Sequence, residues 1–295
     1  MSAMVQAFAE GEAPGRALAR ALACPFGLVT THKFPDGELL PTVPGPLDTV
    51  IVYRSLDQPN TKLVGLILAA EAWRRLGARR LVLVAPYLAY MRQDEAFAPG
   101  QAISQHAIGR LLSGYFDRVV TVNAHLHRTH ALSDLFTVPA QDLSLGRALG
   151  AQLSGRDANK IMVVGPDAES APLARAAADV MGARCIVLTK ARKGDSDVEL
   201  APDPKDDVQG RAVVIVDDIC STGATLAAAA GRMKGMGAAS VDVFVAHALF
   251  EAGAESRLKA AGVRIIASSD AVPHPSNVLC LAPLLAEALR SEMVS

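Results

Sequence analysis

Eight short apolar runs, spread along 295 residues, constrain the fold more than any other feature of the chain. They are Thr49–Tyr53, Arg80–Ala85, Arg118–Val122, Lys160–Val164, Arg184–Thr189, Ala212–Val216, Val241–Ala246 and Val263–Ala267. All are rich in Val and Ile with little polar alternation. A strand with one face in water alternates; a strand buried on both faces does not, so these runs predict a parallel sheet covered by helices. Helical patterns lie between them. In Asn60–Leu76 the apolar residues Leu63, Leu66, Ile67, Ala70 and Trp73 fall at helical spacing, with Asn60 or Thr61 as a start cap and Gly77 as a stop. Ser170–Met181 and Thr225–Met236 behave alike. Each of the three ends in Gly-Ala (77–78, 182–183 and 237–238) and runs straight into a strand. Glycine there supplies the positive φ of a helix C-cap, so each junction is half of a βαβ unit.

The first two junctions lie about a hundred residues apart, a domain-sized interval. The expected architecture is α/β, with two similar domains, each a mainly parallel sheet flanked by helices. The first would span 1–144 and the second 145–295, with Leu284–Leu289 a helix packing back. One continuous doubly wound sheet is the alternative. Two segments lack core character: the polar stretch Pro86–Gly100, and the charged Lys190–Gln209, which carries Pro202 and Pro204 and has no periodicity. Loops that long are usually functional or disordered.

Lys and Arg number 29 against 30 Asp and Glu, which argues against a nucleic-acid or membrane partner held by bulk charge. A small anionic ligand needs only a local pocket. Cys24, Cys185, Cys220 and Cys280 are scattered without metal-ligand spacing, as expected of reduced thiols. No basic-then-apolar leader is evident at the N-terminus, and no apolar run is long enough to span a bilayer. A cytoplasmic protein is the expectation.

The chemistry concentrates in Val213–Thr225, which reads Val-Val-Ile-Val-Asp-Asp-Ile-Cys-Ser-Thr-Gly-Ala-Thr. Physically it is a buried strand, two acids, a small-residue loop and a helix start. A helix N-terminus offers unpaired N–H groups and a positive dipole end, and so binds phosphate. Ser221, Thr222 and Thr225 add hydroxyls, and Gly223 lets the backbone approach closely. Asp217 and Asp218 can accept hydrogen bonds from sugar hydroxyls. A capped helix would account for the Ser and Thr alone. It would not account for two adjacent acids closing an apolar strand. The segment describes a ribose-phosphate site, and it resembles the loop that binds 5-phosphoribosyl diphosphate (PRPP) in the type I phosphoribosyltransferase fold.

Five further segments occur in order: Phe34-Pro35-Asp36-Gly37-Glu38, Tyr90-Met91-Arg92-Gln93-Asp94, Thr121-Val122-Asn123-Ala124-His125, Gly165-Pro166-Asp167 and Lys190-Ala191-Arg192. With the loop, this arrangement is similar to the ribose-phosphate diphosphokinase (PRPP synthetase) family, from about Phe34 to Leu289, and closer to its archaeal-type branch. The resemblance implies transfer of the diphosphoryl group of ATP to ribose 5-phosphate, with Mg²⁺ as cofactor. It implies ATP binding by Phe34, beside the adenine, and by Asp36, Gly37, Glu38, Arg92, Gln93 and Asp94. It assigns Mg²⁺ to His125 and Asp167. A histidine ligand is less expected of magnesium, which prefers oxygen, so His125 rests on the resemblance. Lys190 and Arg192 would be catalytic, with Lys190 stabilising the transition state. Arg192, Asp217, Asp218, Ser221, Thr222, Gly223, Ala224 and Thr225 would hold ribose 5-phosphate. A homo-oligomer, dimer or higher, is implied, with sites completed by a neighbour.

The chain departs from the family pattern in places. Glu169 and Ser170 stand where two glycines are usual. The lysine expected after Ile103-Ser104 is replaced near Gln105-His106. Ser221 replaces an aspartate found in many members, and Cys220 an aliphatic residue. Besides a non-enzymatic nucleotide-binding module, which explains fewer features still, two other readings remain at this stage. A phosphoribosyltransferase would use PRPP and share the loop, but would not need the Arg92 and His125 segments or two similar domains. A non-catalytic regulatory homologue is disfavoured by the intact Lys190, Arg192 and Asp217.

Overall fold

The computed structural model describes residues 3–45, 48–129, 131–155, 157–193, 197–201 and 208–293, with backbone alone for 189–193 and 197–201. The chain divides into two compact units, one of Met1–Leu143 with Cys280–Ser295, the other of Ser144–Leu279.

The first unit contains β1 (Ala3–Phe8), α1 (Glu12–Ala21), β2 (Phe26–Lys33), β3 (Leu39–Thr42), β4 (Thr49–Tyr53), α2 (Pro59–Arg75), β5 (Arg80–Val84), α3 (Ser104–Ser113), β6 (Arg118–Val122) and β7 (Ala140–Leu143). Its seven strands run in the order β3-β2-β1-β4-β5-β6-β7. Every pairing is parallel except the β2–β3 hairpin. Central strands β4 and β5 are buried along almost their whole length, as their unbroken apolar sequences require. Trp73, Leu66 and Ala69 of α2 close one face over Val50, Val52, Leu81 and Leu83. Burial of each large side chain here contributes about 1.5–3 kcal/mol.

The second unit contains α4 (Gly146–Leu153), β8 (Ile161–Gly165), α5 (Ala171–Met181), β9 (Arg184–Val187), β10 (Thr189–Lys193), β11 (Asp197–Ala201), β12 (Ala212–Cys220), α6 (Ala224–Gly235), β13 (Ser240–Ala248), α7 (Ala254–Ala260), β14 (Val263–Ser269) and β15 (Asn277–Leu279). A six-stranded, wholly parallel sheet runs β15-β14-β13-β12-β8-β9. The final helix, α8 (Ala282–Leu289), packs on α1 in the first unit.

All eight expected strands are present, and the two-sheet α/β architecture is as expected. The three junction glycines take positive φ, +99° at Gly77, +62° at Gly182 and +86° at Gly237, which turns each helix directly into the next strand. Two expectations change. β12 runs on to Cys220, so Asp217 and Asp218 lie within the strand rather than after it. The charged segment after β9 is also not featureless. β10 and β11 form an antiparallel hairpin in which Lys190 pairs with Leu200 and Arg192 with Val198. Asp-Val-Glu-Leu-Ala alternates with the period of a strand, and pairing with β10 satisfies its backbone groups.

Candidate active site

In the second unit, β8 and β12 lie side by side, and the register sets Ile215 opposite Val164. Asp217 is thereby level with the turn just past β8, where Asp167 sits. Asp217 is only 9% exposed. Burial pushes its carboxyl well above the usual carboxylate range, and the charges of Asp218 and Asp167 push it the same way. One Asp217 oxygen accepts the Asp218 backbone N–H at 2.9 Å. Asp167 uses Oδ1 to accept the N–H groups of Glu169 (3.1 Å) and Ser170 (3.0 Å). Ser170 Oγ donates to the Asp167 carbonyl at 2.8 Å. These bonds make a tight turn that fixes Asp167 before α5; of the two departures from the family pattern, Ser170 adds its hydroxyl contact to that turn.

Beyond Cys220 the chain turns through Ser221, Thr222 and Gly223 into α6. Gly223 is the N-cap, in the left-handed region at φ +74°, and has no side chain to cap the helix; Thr222 Oγ1 accepts the Ala224 N–H at 3.3 Å. A Cβ at Gly223 would lie 3.3 Å from the Ala254 carbonyl. The first turn of α6 lies beside the exposed Thr222, Ala224 and Thr225, where a helix N-terminus offers N–H groups to an anion. The start of α7 braces this loop. Glu251 N–H donates to the Ser221 carbonyl (3.0 Å), and Ser221 Oγ donates to Glu251 Oε1 (2.6 Å). Arg257 Nη1 donates to the Thr222 carbonyl. Cys220 is buried, and burial with the Asp217 charge pushes its thiol up to about 12, so it stays protonated and packs as a small apolar group.

In the first unit, two loops leave the carboxyl ends of the neighbouring strands β5 and β6. One carries Arg92 and Gln93, both exposed; the other carries His125, half-buried. Each loop contains a non-glycine residue in the left-handed region, Tyr90 at φ +67° and Asn123 at φ +45°. Such strain persists only where surrounding contacts impose it, and it concentrates at functional loops. Asp94 ties the two together, its side chain 3% exposed and its carboxylate accepting Arg128 Nη1 (3.0 Å) and Arg128 N–H (3.2 Å). Phe34–Glu38 form the tip of the β2–β3 hairpin. Gly37 has φ +98°, Asp36 Oδ1 accepts the Glu38 N–H at 3.1 Å, and Phe34 is 40% exposed with its ring edge-on to His32.

Comparison with known proteins agrees with this layout. Residues 5–115 match the family described as the N-terminal domain of ribose phosphate pyrophosphokinase, and residues 142–271 match the phosphoribosyl transferase domain. A ribose-phosphate pyrophosphokinase of Methanopyrus kandleri is 38% identical over 98% of this chain and 99% of its own length. That of Halobacterium salinarum is 34% identical over 92% of this chain and 95% of its own. The chain belongs to the ribose-phosphate pyrophosphokinase family. The crystal structure of a phosphoribosylpyrophosphate synthetase from Mycobacterium smegmatis superposes with a TM-score of 0.84 at 24% identity, covering 99% of both chains, which shows the shared fold.

Within this pyrophosphokinase the expected site residues form three groups. Asp167, Asp217, Asp218 and the Ser221–Thr225 loop share one sheet edge in the second unit. Arg92, Gln93, Asp94 and His125 occupy two cross-tied loops in the first. Phe34–Glu38 sit at the end of β2, three strands from β5, and the hydrogen bonds of their turn stay within it. Lys190 and Arg192 lie on β10, and their side chains are outside the described residues. Sequence reasoning missed Arg128, Glu251, Arg257 and the contacts of Gln105. Only Gln105 left a signal, as a polar residue on the apolar face of α3 with Gly109 and Leu112.

Proposed function

We propose that the chain transfers the diphosphoryl group of Mg-ATP to the 1-hydroxyl of ribose 5-phosphate, giving PRPP and AMP. The observation that carries this reading is the acid pair of buried Asp217 and half-buried Asp218 just ahead of the Ser221–Gly223 turn into α6, in a chain that belongs to the pyrophosphokinase family over 98% of its length. The phosphoribosyltransferase reading would leave residues 5–115, a match to the pyrophosphokinase N-terminal domain, without a role.

In the mechanism, Ser221, Thr222, Gly223, Ala224 and Thr225 cradle the 5-phosphate. Asp217 and Asp218 accept the ribose hydroxyls and fix the sugar, so its 1-hydroxyl oxygen points at the β-phosphorus. That oxygen forms a bond to phosphorus as the bond to the α-phosphate oxygen breaks; AMP leaves, and the hydroxyl proton passes to solvent. Orientation supplies much of the rate. Phe34, Asp36, Gly37 and Glu38 with Arg92 and Gln93 bind ATP, the arginine fork gripping phosphate oxygens. Asp94, committed to Arg128, sets the shape of that loop. Lys190 and Arg192 offset charge on the transferring group.

A hard cation fits the carboxylates of the second unit, because repulsion among Asp167, Asp217 and Asp218 is what a cation relieves. Among the described residues no group of three or more His, Cys, Asp or Glu stands at metal-binding spacing. Mg²⁺ takes one or two carboxylates, keeps several waters and enters with nucleotide phosphates. Asp167 would hold it, and it would neutralise charge on the phosphate oxygens; for His125 a metal role follows from the family resemblance alone. The separation of Phe34–Glu38 from Arg92 along the sheet favours a homo-oligomer, dimer or higher, whose neighbouring subunit completes the nucleotide site. Among the described residues no helix is long and apolar enough to cross a membrane.

Purified protein incubated with ribose 5-phosphate, ATP and Mg²⁺ should release AMP and PRPP in equal amounts, separable by ion exchange. No AMP under any metal or phosphate condition would refute the activity.

A further inference from the structure

Gln105 lies in the Gln105-His106 segment where the chain departs from the family pattern, and it is 1% exposed. A buried amide must satisfy both its ends. Gln105 does so between the two site-bearing loops of the first unit. Nε2 donates to the Met91 carbonyl at 2.5 Å, and Oε1 accepts from Thr129 Oγ1 at 2.8 Å. The orientation of the amide follows from its partners, since a carbonyl can only accept and must face the NH₂ end. The Gln105 backbone N–H also points to the Gln93 carbonyl, at 3.4 Å.

The helix that carries Gln105 is a fixed platform. A Cβ at Gly109 would come within 2.1 Å of the Leu135 carbonyl, so α3 lies directly against the backbone of the 132–135 segment. Met91 stands between Tyr90, held at positive φ, and the exposed Arg92-Gln93 pair. Thr129 follows Arg128, which holds Asp94 from the other side. One amide therefore pins the base of the Arg92 loop and the end of the His125 loop to the same helix.

We propose that Gln105 is a positioning residue that sets the Arg92-Gln93 loop against the His125 loop for nucleotide binding. The inference rests on the reading that these loops face ATP. An ordinary core role would affect stability alone; a positioning role separates the two substrates, because ribose 5-phosphate is held by the other unit.

The test compares wild type with Gln105→Leu, Thr129→Val and Thr129→Ser. It measures KM for ATP, KM for ribose 5-phosphate, kcat, thermal midpoint and amide hydrogen exchange of residues 90–94 and 126–129. Loss of both hydrogen bonds in Gln105→Leu should raise KM for ATP about tenfold, with KM for ribose 5-phosphate within about twofold. Thr129→Val should move in the same direction by less, and Thr129→Ser, which keeps the hydroxyl, should match wild type. Exchange should quicken in both loops. Unchanged KM for ATP in Gln105→Leu and Thr129→Val, or an equal rise in both KM values, would overturn the proposal. Should wild type itself make no PRPP, the activity reading fails separately; the exchange measurement still decides the brace, and unaltered exchange in both variants would refute it. Thr129→Val keeps the test open if Gln105→Leu does not fold.

Discussion

Asp217 carries the conflict between stability and chemistry in its own side chain. Burial first, then the charges of Asp218 and Asp167, raise its carboxyl far above the unfolded value. A raised folded value means that stability is fully present below the unfolded carboxylate range, about pH 4, and is lost as pH rises through the folded value. Above about pH 4 the Asp217 side chain thus costs stability, a cost that fits the ribose-binding role proposed for it. Asp217→Asn keeps the shape and removes the charge. The variant should have a higher thermal midpoint than wild type at pH 8, and the gain should shrink towards pH 4. PRPP formation should fall by about 10²-fold or more as a fixed acceptor of the ribose hydroxyls is lost. Calorimetry at the two pH values checks the first part. A midpoint that drops equally at both would mean that the carboxylate braces the fold.

At the scale of elements, the β10–β11 hairpin turns a charged stretch into a defined structure. Strand pairing fixes the backbone at Lys190, whose partner in register is Leu200. A lysine that offsets charge on a transferring phosphoryl group works through its ammonium, and alanine leaves the pairing intact. Lys190→Ala should therefore lower kcat about 10²–10³-fold with an unchanged thermal midpoint. Near-normal turnover would remove Lys190 from the mechanism. The same hairpin marks where sequence reading stops. Strands such as β4, β5, β6 and β12 were legible because both faces are buried, which leaves an unbroken apolar run. The edge strands β3 and β7 were not. β3 carries Pro41, and β7 is Ala-Gln-Asp-Leu with its middle residues exposed. β1 was hidden by Gln6, a buried polar residue whose Oε1 accepts the Trp73 indole N–H at 2.7 Å across 67 positions of sequence. The strand, turn and helix of Val213–Thr225 were legible because strand, acids, glycine and helix start are consecutive. The Gln105 and Glu251 contacts were not, since their partners lie 14 to 30 residues away and no local pattern announces them.

At the scale of the whole molecule, the chain returns at its end to the unit where it began. Glu292, its side chain 4% exposed, accepts Arg80 Nε (2.5 Å) and Nη2 (2.9 Å) from β5 and Arg118 Nη1 (2.9 Å) from β6. Arg118 Nη2 also reaches the Ala288 carbonyl at 3.1 Å, so the last turn of α8 is bound to the same point. Contacts between residues 212 positions apart form only when the intervening chain is in place, which makes the first unit dependent on the segment that carries Glu292. Burial alone would push the Glu292 carboxyl up; the hydrogen bonds and charges of Arg80 and Arg118 outweigh it and hold the group below the usual range. A lowered folded value means that the stabilisation is present above the unfolded value, about pH 4, and is lost as pH falls through the folded value. Glu292→Gln removes the charge and leaves two guanidinium groups facing a neutral amide. It should cost roughly 1.5–3 kcal/mol at pH 7, lowering the midpoint by about 2–4 °C per kcal/mol. The penalty should fade below about pH 4, where wild type begins to lose the same interaction. A penalty that persists undiminished at pH 3 would assign the role of Glu292 to packing rather than charge, and the polar tie of this segment to β6 would then rest on the bond from Arg118 to the Ala288 carbonyl.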